Sequence, residues 1–219
     1  MSTLVSPPLH VREQRVVLRN VSWETYECLL AANADSSSPR MSYDHGVLEI
    51  MSPSLTRENL KETLAMIADI VAEEFGIEFL RLGSATFRRR DFKQGTEPDC
   101  CFYIQNVERI RGKRQVDLAG DPPPDLVIEV EVTSPALDKL PIRAHLGVPE
   151  LWLTDGEGVR ILLLDAGEYK PGPQSAVLPA LAESVLSDFV RRSQLLTTLA
   201  WRKLVRDWAP ANWSANPGA

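Results

Sequence analysis

Apolar residues recur along this chain in two rhythms, and the local rhythm predicts the element. Between Thr56 and Phe75, Leu60, Leu64, Ile67 and Val71 fall at helical spacing and define one buried stripe. Glu58, Glu62 and Asp69 lie roughly opposite it, and Gly76 supplies a C-terminal stop. A shorter helix starts at Ser22, with Trp23, Tyr26, Leu29 and Leu30 on its apolar side, and ends at Ser36-Ser37-Ser38-Pro39. A third helical pattern runs from Leu181 to Trp208, with Trp201, Leu204 and Trp208 on one side. Strand patterns occupy the gaps. A hairpin is predicted over Met41 to Met51, turning at Asp44-His45-Gly46, and another over Glu150–Thr154 and Val159–Leu164. Ile77 to Leu82, Ala85 to Phe87 and Cys100 to Ile104 read as single strands. A helix from about Ala136 to Leu146 precedes Gly147, with Pro141 either limiting its regularity or marking a later first turn.

The stretch from Pro124 to Pro135 departs from both rhythms. Val127, Ile128, Val130 and Val132 are β-branched and follow a triple proline, which predicts a central strand. Such a strand is expected to be apolar on both faces when both are covered. This one sets Glu129 and Glu131 on a single face, because side chains alternate with a period of two. Buried carboxylates without a partner are strongly unfavourable, and adjacent ones repel. A positive group must therefore meet them: a divalent metal, a lysine or an arginine.

Composition narrows the class. A chain of 219 residues with 44% hydrophobic content suits one domain with a sizeable core. We divide it into an extended N-terminal arm over residues 1–20, a single domain over 21–209 and a disordered tail over 210–219. The net charge of -6 gives no broad electrostatic grip on nucleic acid. Three cysteines, two of them neighbours at Cys100 and Cys101, argue against a disulfide framework. No apolar run suits a signal peptide or a membrane span, so a soluble cytoplasmic protein is expected.

Candidate chemistry gathers at two strands. Pro98-Asp99 leads into Cys100–Ile104, and Pro124-Asp125 leads into the strand that carries Glu129. If these strands are neighbours, Asp99 and Glu129 can converge on one oxygen-ligand site of the kind Mg²⁺ or Mn²⁺ takes.

Pro98-Asp99 followed by Glu129-x-Glu131 resembles the P-D…(D/E)-x-K signature of the restriction-endonuclease-like superfamily. Gly46 to Pro53, Pro124 to Val130, Thr133-Ser134-Pro135 and Gly147-Val148-Pro149-Glu150-Leu151-Trp152 resemble its Uma-type branch. The similarity runs from about residue 22 to residue 208. It implies an α/β restriction-endonuclease-like fold, a mixed central sheet flanked by helices, and Mg²⁺- or Mn²⁺-dependent hydrolysis of DNA by a homodimer. The implied metal ligands are Asp99, Glu129 and the backbone carbonyl of Val130. The signature's lysine position is Glu131 here, and the family's usual remedy points to Lys139 on the following helix. An acidic residue on the first long helix, Glu58, often completes the set.

Each residue also has a plainer role open to it. Asp99 could cap backbone amides, Lys139 could pair with Asp138 or Glu131, and Glu58 suits a first helical turn. Glu131 nears the strand end, where a solvated rim is as good a place. Two other functions stay open: a catalytically degenerate nuclease-fold module that binds nucleic acid or protein, and a small-molecule phosphohydrolase, which would need a deep closed pocket.

Overall fold

Residues 13–34, 36, 38–83, 85–132 and 137–212 are described in a computed structural model. Their elements in chain order are β1 (Gln14–Leu18), α1 (Trp23–Ala32), β2 (Arg40–Asp44), β3 (Val47–Ser52), α2 (Leu55–Glu74), β4 (Leu80–Arg81), β5 (Phe87–Arg89) and β6 (Gln94–Thr96). There follow β7 (Cys100–Tyr103), α3 (Val107–Ile110), β8 (Leu126–Val130), α4 (Leu140–His145), β9 (Glu150–Thr154), β10 (Val159–Asp165), β11 (Glu168–Pro171), α5 (Glu183–Ser193) and α6 (Thr198–Asn212). A five-stranded sheet has the order β1-β3-β2-β6-β5, and a six-stranded sheet the order β11-β10-β9-β8-β7-β4. The larger sheet is mixed: β8 and β9 run parallel, while β7 pairs antiparallel to β8. The expected α/β class and flanking helices are both present.

Local chemistry explains the strongest elements. Ser54 accepts the Arg57 amide at 3.2 Å and starts α2, whose Leu60, Leu64, Ile67 and Val71 are buried as their spacing predicts. The 41–51 hairpin turns at His45 and Gly46, both at positive φ. Pro141 stands in the first turn of α4, where the missing amide hydrogen is tolerated. The long C-terminal pattern divides into α5 and α6, and Trp201 of α6 is buried while its Nε1 donates to Phe189 O at 2.8 Å.

Other features carry little sequence signal. Residues 14–18, within the stretch read as an arm, form an edge strand paired with β3. β6 is polar and β11 short, so hydrophobic pattern marks neither. The remainder of the arm (1–12), Thr133 to Ala136 and residues 213–219 of the expected tail lie outside the described residues.

The two faces of β8 have different fates. Leu126, Ile128 and Val130 join the core formed with α2, α5 and α6. Val127 packs on the opposite side with Cys101, Leu151, Leu153 and Ile142 of α4, and alternation sends Glu129 to that side too. Asp125, just before the strand, accepts the amides of Ile104 and Asn106 at 2.7 and 3.0 Å, a structural role.

Glu150 is fully buried on β9 and pins the 175–178 segment. It accepts Trp152 Nε1 at 2.6 Å and the amides of Ala176 and Val177 at 2.8 and 3.2 Å. Burial pushes its pKa up, and these hydrogen bonds oppose that rise. Glu150→Ala leaves three donors without an acceptor, so urea denaturation should show a loss of about 3 kcal/mol or more.

Candidate functional site

Asp99 stands one residue before β7, and the register that pairs Cys100 with Ile128 sets it opposite Glu129. Residues opposite one another in an antiparallel pair share a face. The two carboxylates therefore project to the same side, and the residues are only 1% and 4% exposed. Asp99 Oδ2 accepts the Val130 amide at 2.7 Å and Arg57 Nη1 at 2.5 Å, and its Oδ1 pairs with Arg40. Glu129 Oε1 accepts from Arg143 Nη2. Arginine thus supplies the positive charge that the buried acids require.

Lys139 immediately precedes α4, and its Nζ lies 2.8 Å from Glu49 Oε1 on β3. Burial pulls its pKa below the ordinary lysine value, while Glu129 and Glu49 act in the opposite direction. The smaller sheet closes the cluster from its inner face, where Ser42 and Glu49 stand opposite each other. Arg15 of β1 reaches Glu49 at 3.3 Å and Glu13 at 2.9 Å, and Glu13 in turn accepts Arg57 Nε at 2.5 Å. Glu58 accepts from Arg40 at 2.6 Å and pairs with Lys61. Among the described residues Glu13, Glu49, Glu58, Asp99 and Glu129 thus meet Arg15, Arg40, Arg57, Lys61, Lys139 and Arg143, and Lys61 also reaches Glu62 at 3.2 Å.

Asp99, Glu129 and Lys139 all enter this network, and Glu58 joins it one arginine away from Asp99. Glu131 does not. It lies past the end of β8, about a third exposed, 3.8 Å from Arg160. The arginines carried weaker signals, the clearest being Arg143 four residues after Lys139, the spacing that puts two side chains on one helical face. An open cleft of about 860 Å³ lies elsewhere, lined by residues that include Trp23, Glu27 and Arg88. The carboxylates do not line it.

The family model Uma2, described as "Putative restriction endonuclease", matches residues 23–197. The chain belongs to this family. A crystal structure of a protein described as "a putative nuclease belonging to DUF820", from Anabaena variabilis ATCC 29413, superposes with a TM-score of 0.50. It is 17% identical over 78% of this chain and 99% of its own, a likeness of fold. No curated protein matches the chain.

The divalent ion expected of an Uma2 nuclease can be tested against these donors. Mg²⁺ commonly keeps several waters and binds through one or two carboxylates plus phosphate oxygens. Two register-opposed carboxylates beside the end of β8 fit that chemistry. Among the described residues no set of three or more His, Cys, Asp and Glu side chains forms a fuller cage. The charge balance is less favourable, since each acid already holds a guanidinium that an ion must displace.

Proposed function

We propose that this Uma2-family chain is a DNA endonuclease that hydrolyses phosphodiester bonds at Asp99, Glu129 and Lys139. The observation that supports it most is the register placing Asp99 opposite Glu129 on one face, with Lys139 arriving from the start of α4. Asp99, Glu129 and the Val130 carbonyl would hold Mg²⁺ or Mn²⁺, which when bound activates water and stabilises charge on a phosphodiester oxygen. Lys139 Nζ would orient the attacking water, and the burial that disfavours its charged form suits it to take up a proton there. The Val130 amide and Arg57 fix the Asp99 carboxylate, and Glu49 fixes the Lys139 amine. No helix among the described residues is long and apolar enough to cross a membrane, and a cytoplasmic homodimer acting on DNA completes this reading.

Plasmid DNA incubated with Mg²⁺ or Mn²⁺ tests it. Nicking is expected from the wild type and should be lost in Glu129→Gln, which keeps the side-chain shape. Equal nicking by both proteins would place the activity in a contaminant or another site.

One observation favours a second reading. Both acids carry buried guanidinium partners, and the signature's lysine position holds Glu131, out on the rim. A protein built this way could keep the nuclease scaffold for binding alone, and would show no Glu129-dependent nicking in the same assay.

A further inference from the structure

The arginines around Asp99 and Glu129 differ in how many carboxylates they reach. Arg57 divides its guanidinium between Asp99 and Glu13, and Arg40 divides its own between Asp99 and Glu58. Arg143 pairs with Glu129 as its one carboxylate among the described residues, its Nε, like those of Arg15 and Arg40, has no hydrogen-bond partner, and the residue is 1% exposed. An ion that takes Glu129 therefore removes the counter-ion of a buried guanidinium.

Burying a charge without compensation is strongly unfavourable, so the ion alone should bind weakly. A phosphate group supplies what the exchange lacks. It brings negative charge and several acceptor oxygens, a good match for a planar guanidinium. A phosphate seated beside Glu129 is also beside Arg143, because Arg143 Nη2 contacts Glu129 Oε1.

Resting on the nuclease reading above, we infer that Arg143 is a counter-ion gate. It holds Glu129 until the substrate's phosphodiester arrives, then exchanges the carboxylate for the phosphate as the ion takes Glu129. Metal and DNA consequently bind cooperatively, and by linkage each tightens the other by the same factor. Such a gate keeps the ion out of the centre when no substrate is present.

Calorimetric titration of the full-length chain with Mn²⁺ tests this, alone and with a phosphorothioate DNA duplex that resists hydrolysis. The duplex is expected to tighten Mn²⁺ binding about tenfold or more, within the usual range of coupling between sites. In Arg143→Gln, Mn²⁺ should bind without the duplex about as tightly as the wild type binds with it, and the duplex should add little. Equal wild-type affinities with and without duplex, alongside intact Glu129-dependent nicking, would overturn the gate alone. An absence of Mn²⁺ binding in both titrations would also overturn the gate, and a loss of nicking as well would remove the nuclease reading beneath it. Should Arg143→Gln prove unfolded by circular dichroism, the two wild-type titrations decide the matter by themselves.

Discussion

Glu129→Ala should lower stability by about 3–5 kcal/mol as well as abolish metal-dependent nicking, because it strands the buried guanidinium of Arg143. Urea denaturation should show a lower midpoint with an unchanged slope, the mark of altered stability rather than an altered denatured state. The two effects can be separated. Glu129→Gln keeps an acceptor for Arg143 but not its counter-charge, so it should recover only about 1 kcal/mol of that loss while losing nicking completely. Combining Glu129→Leu with Arg143→Met should restore much of the stability, since a buried ion pair replaced by apolar side chains of similar volume is often close to neutral. If Glu129→Ala proves as stable as the wild type, Arg143 has a second source of compensation and the exchange argument loses its basis.

Glu129 was legible in the sequence because it broke an apolar rhythm and Asp99 because it stood at the entry to a strand, whereas the arginines did neither. Glu129 sits among valines on a strand, so period-two alternation and the energetics of burial together flag it. The same reasoning applies to Glu49, which lies between Leu48 and Ile50 on β3 and is 1% exposed. It went unflagged because one apolar-flanked acid in a hairpin also suits a strand with a wet face. Arg40 opens β2 and Arg57 lies in the first turn of α2, positions where a long cation is ordinarily solvated. Only the packing of the smaller sheet over the ends of β7 and β8 drives them inward. β1 brings Arg15 to the same cluster, and no hydrophobic pattern announces its edge-strand role. Glu131 shows the limit of the alternation rule. Its parity with Glu129 is sound, but the strand ends first, so the shared face carries it to the rim beside Arg160.

Asp99→Ala should destabilise the chain by about 3–5 kcal/mol, through a different route from Glu129→Ala. Asp99 joins two arginines and the Val130 amide, so its loss takes a counter-ion from two buried guanidiniums at once. Arg57 and Arg40 fall back on Glu13 and Glu58, which limits the damage to each. The Val130 amide has no such reserve. Asp99→Asn keeps an acceptor for that amide and should recover about 1 kcal/mol of the loss, leaving the charge imbalance. Because the cluster is buried, adding salt to about 1 M should change these differences little, whereas an exposed ion-pair network would be largely screened. Adding Arg57→Met to Asp99→Ala should relieve part of the excess positive charge, and a double-mutant cycle should report coupling well above the additive sum. Additive losses would mean that Asp99 and Arg57 act independently, and the picture of one shared charge network controlling both carboxylates would fail.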